Sequence, residues 1–325
     1  MNISSIFNLK SIIDFETKVL NVFRFQYQNN SVYREYCSHL KKTPKDIISI
    51  DEIPFLPIEF FKKRKVVSGN NETEVLFTSS GTTGKKTSTH QITDISIYEQ
   101  SYIRCFEQFY GPIHDYCILA LLPSYLDRKD SSLIYMVDDL IQKSKHAESG
   151  FYLDDFETLK SKLERLDTEE HKVLLIGVSF ALLDFVEKHS MQLKNTIIIE
   201  TGGMKGRRKE LIREELHHIL KSGFGVSSIH SEYGMTELLS QAYSDGNGIF
   251  RTPPWMQILI RDPEDPLSLQ LNGTTGGLNI IDLANVNSCS FIATQDLGKR
   301  NDDGSFEILG RFDNSDIRGC NLMIL

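Results

Sequence analysis

A chain of 325 residues has room for one large or two modest domains, and 40% hydrophobic with 25% charged residues describes an ordinary globular protein of the soluble class. The formal charge of −8 argues against a general nucleic-acid binder, which needs a basic face to displace counterions. Five cysteines with no C-x-x-C pair leave no complete disulfide set, no run approaches the apolar length of a membrane span, and the first ten residues lack a signal-peptide pattern. The expectation is a reducing, cytoplasmic setting with no membrane span.

In chain order, the apolar spacing of Ile12, Phe15, Val19, Leu20, Val22 and Phe23 predicts an amphipathic opening helix. The two prolines of Ile53-Pro54-Phe55-Leu56-Pro57-Ile58 impose an extended lead-in, and Lys62-Lys63-Arg64-Lys65 reads as solvated surface. Residues 74–77 form a strand pattern, and Asp94 is the predicted N-cap of a helix reaching residue 110. Strand patterns at 117–122, 173–176, 196–200 and 226–230 then alternate with helical ones at 132–143, 180–188 and 209–221. Alternation of this kind implies α/β units on a largely parallel sheet. His217 and His218, on the last of these helices, read as solvated. After about residue 250, short strands at 256–260, 277–281, 290–294 and 306–309 are divided by Asp, Pro, Gly and Asn turns. The expected division is an α/β core over 1–250 and a β-rich subdomain over 251–325.

Between the 74–77 strand and the Asp94 helix lies Phe77-Thr78-Ser79-Ser80-Gly81-Thr82-Thr83-Gly84-Lys85-Lys86, with two glycines, five hydroxyl residues and two lysines in ten positions. Converging backbone N–H groups, hydroxyl donors and lysine charge are the chemistry of a phosphate cradle. The Walker spacing fails, because only two residues separate Gly81 from Gly84 and Lys85 is followed by Lys86. Alone, the segment reads equally as a flexible surface loop. A second motif, Ser231-Glu232-Tyr233-Gly234-Met235-Thr236-Glu237, supplies an aromatic plate, a neutral donor and a carboxylate able to hold Mg²⁺. No Cys/His group has zinc spacing, and Ser124 lacks the Gly-x-Ser-x-Gly setting of a hydrolase nucleophile.

Together the two motifs resemble those of the adenylate-forming superfamily of acyl-CoA synthetases, luciferases and peptide-synthetase adenylation domains. Thr294-Gln295-Asp296-Leu297-Gly298 is similar to the family's ribose-binding segment, with Gln295 where glycine is usual, and Gly310-Arg311-Phe312-Asp313 is similar to its hinge segment. Residues 54–62, Thr201-Gly202-Gly203-Met204-Lys205-Gly206 and Arg318-Gly319-Cys320 look like the acyl-protein synthetase branch found in the bacterial bioluminescence fatty-acid reductase, itself related to phenylacetate-CoA ligases. The resemblance implies the family's large α/β domain, with a small β-rich subdomain and without the usual C-terminal lid domain. It implies that ATP and a fatty or aryl acid give acyl-AMP and pyrophosphate, and that a thiol then takes the acyl group.

The site residues it implies are Thr78, Ser79, Ser80, Gly81, Thr82, Thr83, Gly84 and Lys85 as the cradle, and Tyr233, Gly234, Gly202 and Gly203 around adenine. Thr236 would meet the α-phosphate, Glu237 would hold Mg²⁺, and Asp296 with Arg311 would grip the ribose. Cys320, beside Arg318, matches the branch's acyl-carrying cysteine, and a neighbouring cation favours the thiolate. A carrier protein or a reductase or transferase partner is the other acceptor. The alternative reading is a non-catalytic or partner-dependent acyl-transfer subunit that keeps the nucleotide fold.

Overall fold

The computed structural model describes residues 5–80, 87–122, 128, 130–202 and 211–312. Two helices open the chain, α1 (Ile12–Asn29) and α2 (Ser31–His39), followed by β1 (Leu56–Pro57) and the short α3 (Phe60–Lys63). A two-stranded antiparallel ribbon, β2 (Val75–Thr78) with β3 (Thr89–Ile92), leads into α4 (Ile95–Tyr110), whose N-cap is Asp94, accepting from the Ser96 amide as the sequence predicts.

The first large sheet alternates with helices along the chain: β4 (Cys117–Leu121), α5 (Ser132–Ser144), β5 (Gly150–Phe151), α6 (Phe156–Thr168), β6 (Val173–Val178), α7 (Ser179–Lys188), β7 (Thr196–Thr201), α8 (Arg213–Phe224), β8 (His230–Tyr233) and β9 (Ala242–Ser244). Its strand order is β5-β4-β6-β7-β8-β9, parallel throughout except for the antiparallel β9. Every residue of β4 and β6 is buried, as a parallel sheet covered on both faces requires.

The second sheet comprises β10 (Ile249–Phe250), β11 (Met256–Arg261), β12 (Thr275–Asp282), β13 (Phe291–Arg300) and β14 (Phe306–Arg311), in the order β10-β14-β13-β12-β11 and antiparallel. β1 joins it in parallel, Leu56 opposite Ile292 and Pro57 opposite Ala293, so the proline-rich lead-in is extended because it is a strand of this sheet. The Gln26 amide on α1 donates to the carbonyls of Asn285 (3.0 Å) and Val286 (2.9 Å), tying the opening helices to the turn before β13.

Sequence boundaries move around α8. The predicted start at 209 lies outside the described residues; α8 begins at Arg213, behind the extended Ile212, and runs on to Phe224, where Gly225 takes a left-handed conformation (φ 69°). Residues 226–229 serve as the connector out of that helix end, so β8 starts at His230 and contains Tyr233. Cys37, Cys105, Cys117 and Cys289 are free and buried, and burial pushes the Cys37 thiol up to about 12 and that of Cys117 to about 11. Among the described residues no helix is long and apolar enough to cross a membrane.

Candidate active site

The hydroxyl-rich loop rises from the end of the β2–β3 ribbon. Ser79 and Ser88 close its stem, the Ser79 amide donating to the Ser88 carbonyl (3.1 Å) and the Ser88 amide to Ser79 Oγ (2.9 Å). Below them Thr78 is clamped from the segment after β4. Its amide donates to the Asp130 carbonyl (2.8 Å) and its hydroxyl to the Asp130 carboxylate, while Arg128 donates to its carbonyl (3.1 Å) and Oγ1 (3.2 Å). Ser80 ends the described part of the loop. Gly81, Thr82, Thr83, Gly84, Lys85, Gly203 and Cys320 lie outside the described residues.

The second motif leaves β8 and turns at once. Leu238 N–H donates to the Met235 carbonyl (3.0 Å), so Thr236 and Glu237 occupy the two central positions of a turn. The Thr236 carbonyl meets His90 Nδ1 at 2.8 Å, and the Glu237 carbonyl accepts from Asn285 Nδ2 at 2.8 Å. The buried Asp282 then holds the outgoing chain, accepting from the amides of Leu239 (2.8 Å) and Ser240 (3.1 Å) and from the Ser240 hydroxyl (2.6 Å).

Glu237 points its buried carboxyl at the loop stem. Burial pushes its pKa up, against a hydrogen bond from Ser88 and the positive charges of Lys62 and Arg311. A carboxylate whose charge is disfavoured by burial gains most from an arriving cation. Among the described residues no group of three or more His, Cys, Asp or Glu side chains gathers to hold a metal. A single carboxylate still suits Mg²⁺, which fills most of its octahedron with water and phosphate oxygens. Lys62 is half-buried and acts on this carboxyl, unlike its exposed neighbours Lys63, Arg64 and Lys65, so the basic run is not uniformly solvated surface.

Tyr233, Asp296 and Arg311 form one cluster. The Tyr233 hydroxyl donates to Asp296 Oδ2 (2.7 Å), and Arg311 Nε lies 3.2 Å from Asp296 Oδ1. β13 and β14 set this pair directly opposite each other, Asp296 against Arg311. A carboxylate offers about four acceptor positions, so these two contacts leave capacity for a further pair of hydroxyl donors. The ring of Tyr233 stands edge-on to Phe250 (6.2 Å) and Phe306 (5.9 Å). Gln295, which replaces the usual glycine, donates its amide to Glu59, beside α3.

Gly202 has φ 71°, the left-handed region that glycine occupies without strain. Gly234 is constrained by contact instead, since a Cβ there would lie 2.5 Å from Glu232 Oε1. Glu232 itself is buried, accepts from the Thr201 hydroxyl, and is pushed up to about 7, chiefly by burial and further by the nearby charge of Glu200.

Sequence reasoning picked out residues 123–130 only as a loop that could border the substrate pocket, without roles for Arg128 and Asp130, and missed Ser88, His90, Asn285 and a buried group behind β8. In that group Glu200 Oε1 accepts from Arg213 (2.8 Å) and lies 3.6 Å from His217 Nε2, and Glu200 Oε2 accepts from Ser179 (3.0 Å). Burial works against the Glu200 charge, but His217, Arg213 and Ser231 outweigh it and lower its pKa. His217 is therefore 5% exposed rather than solvated, because α8 turns that face towards the sheet. The sequence signal for Arg128 and Asp130 is their place in the loop after β4, and for Ser88 and His90 their place just after the hydroxyl-rich loop; Asn285 and the group behind β8 carried none.

The acyl-protein synthetase (LuxE) family model matches residues 8–325. The chain belongs to that family. Among similar acyl-protein synthetases are the long-chain-fatty-acid–luciferin-component ligases of Aliivibrio fischeri, 25% identical over 300 residues (86% of this chain and 77% of the relative), and of Vibrio harveyi, 23% identical over 330 residues (94% and 85%). A solved 2-hydroxyisobutyryl-CoA ligase in complex with 2-HIB-AMP and CoA superposes with a TM-score of 0.66 at 12% identity, covering 93% of this chain and 70% of that one. ATP-bound MatB from Rhodopseudomonas palustris gives 0.55 at 16% identity, covering 75% and 49%. The acyl-protein synthetase chain thus spans about half the length of MatB. The fold is that of the large α/β domain of adenylate-forming enzymes, as the sequence motifs imply.

Proposed function

We propose that this acyl-protein synthetase activates a carboxylic acid with ATP and passes the acyl group to a thiol. The observation that carries the reading is the convergence of three motifs far apart in sequence. Ser88 at the loop stem and the Arg311 charge both act on the Glu237 carboxyl, and Arg311 Nε lies 3.2 Å from Asp296 Oδ1. In the first step a carboxylate oxygen of the acid attacks the α-phosphorus, the bond to the β-phosphate bridging oxygen breaks, and acyl-AMP and pyrophosphate result. In the second, a thiolate attacks the acyl carbon and AMP leaves.

The barrier in such chemistry yields mainly to positioning and charge neutralisation. Thr78, Ser79, Ser80 and the loop beyond them would hold the phosphates, and Asp296 with Arg311 the ribose. Tyr233 with Gly202 and Gly234 would border the base. Thr236 would meet the α-phosphate, and Glu237 would hold Mg²⁺, which when bound neutralises phosphate charge. The names of the Aliivibrio and Vibrio relatives favour a long-chain fatty acid as substrate. Cys320 is the proposed first acceptor, with a carrier protein or a reductase or transferase partner downstream.

Pyrophosphate release tests the reading. Purified protein with ATP, Mg²⁺ and acids from acetate to long-chain and aryl carboxylates is expected to release pyrophosphate with at least one of them, best with a fatty acid. Silence with every acid, despite ATP binding, would overturn it in favour of a partner-dependent subunit. With a labelled acid, hydroxylamine-sensitive label on the protein is expected to vanish in Cys320→Ser; undiminished labelling would remove Cys320 from its role.

A further inference from the structure

Two buried side chains hold the turn that presents Thr236 and Glu237, and each does so at a cost. His90 is fully buried on β3, its ring edge-on to Phe61 at 5.4 Å. Its Nδ1 lies 2.8 Å from the Thr236 carbonyl, which can only accept, so Nδ1 carries the proton. Burial pulls the ring's pKa down to about 4, so it remains neutral at ordinary pH and the tautomer is fixed. Nε2 is then a bare acceptor, buried and with no hydrogen-bond partner among the described residues. Asn285, from the turn Leu283–Asn287, repeats the pattern: Nδ2 donates to the Glu237 carbonyl, while the buried Oδ1 has no partner among the described residues.

A buried polar atom left without a partner lowers stability, because its lost hydration is not replaced. Where stability alone decides, an apolar residue suits such a position better. Both side chains instead place their donors on the two central carbonyls of one turn. They reach it from different sides, His90 from the strand that descends from the loop stem and Asn285 from the second sheet.

We infer that His90 and Asn285 are positioning residues that fix the Thr236–Glu237 turn against the stem of the hydroxyl-rich loop and thereby set the rate of acyl-adenylate formation. The inference rests on the activity proposed above. Neither residue touches a reacting atom. Each fixes a peptide whose side chain would, and misplacement of such a group by about an ångström costs roughly 100-fold in rate.

The test is ATP-dependent pyrophosphate release with the best acid, measured beside thermal unfolding, in His90→Leu, His90→Asn and Asn285→Leu. Leucine keeps the apolar contact and removes the orphaned atom; asparagine restores a donor near the place of Nδ1. Each leucine removes one orphaned atom but leaves one turn carbonyl without its donor, so His90→Leu and Asn285→Leu are expected to melt close to the parent, yet to lose about 100-fold in kcat with KM for ATP little changed. His90→Asn is expected to recover most of that loss. Parental kcat in a folded His90→Leu, or a kcat loss that tracks a fall in melting temperature in all three variants, would overturn the inference. Inactivity of the parent itself would instead sink the proposed activity, so the two failures are distinguishable.

Discussion

Glu232 shows how one buried carboxyl imposes a pH dependence on the fold. Its native pKa of about 7 lies above the ordinary glutamate value of about 4.3 that it regains on unfolding. Between those values the folded chain keeps a proton that the unfolded chain releases, so stability falls as pH rises through this window and levels off above it. A shift from 4.5 to about 7 corresponds to roughly 3 kcal/mol. Glu232→Gln is expected to remove that slope: urea unfolding at pH 5 and pH 7.5 should differ less in the variant than in the parent, with the variant relatively more stable at the higher pH. An unchanged slope would assign the pH dependence to other groups. At this scale the sequence was only partly legible. Tyr233, Thr236, Glu237, Asp296 and Arg311 stood out because their order and spacing match a family. Glu232 and Gly234 lay in the same motif, yet nothing in the letters shows that one fills the space a side chain on the other would need.

Among the elements, α1 does more than cover apolar surface. The buried Gln26 donates to two carbonyls and to Ser290 Oγ (3.2 Å), and its Oε1 accepts from the Ser290 amide (3.0 Å), all within the segment that precedes β13 and contains Asn285. Gln26→Leu fits the space but orphans these groups, and is expected to cost about 3 kcal/mol in urea unfolding. A loss below about 0.5 kcal/mol, the ordinary range for a surface substitution, would show that water replaces the amide there. Periodicity predicted α1 correctly from its apolar face, but a glutamine on that face carries no sign of its partners more than 250 residues away. Strand prediction failed where helix termination overrode composition. The run Val226-Ser227-Ser228-Ile229 has strand-like residues, yet the left-handed Gly225 ends α8 just before it and makes it a connector.

On the scale of the whole molecule, the single tryptophan sits where the parts meet. Trp255 is 3% exposed, donates Nε1 to Ser101 on α4 and Ser240 after the turn (3.0 Å each), and packs edge-on against Phe7 at 5.0 Å. Its fluorescence therefore reports the junction between the two sheets, whereas far-UV circular dichroism reports all the helices. With Trp255, just before β11, bonded to α4 and to the turn that follows β8, the two signals are expected to give one urea midpoint. Separate midpoints would show that the sheets unfold independently. The alternation of strands and helices, and the change of texture near residue 250, were legible because each follows from short-range periodicity. The junction was not, since it depends on which faces meet.

The burial of Cys37, Cys105, Cys117 and Cys289 has a practical corollary. With four of the five thiols shut inside and those of Cys37 and Cys117 held far from ionisation, the folded protein offers soft electrophiles almost nothing along its described length. Modification of Cys37, Cys105, Cys117 or Cys289 by a maleimide therefore reports opening of the fold: each is expected to react only as the element that covers it unfolds, which mass spectrometry of the labelled peptides reads.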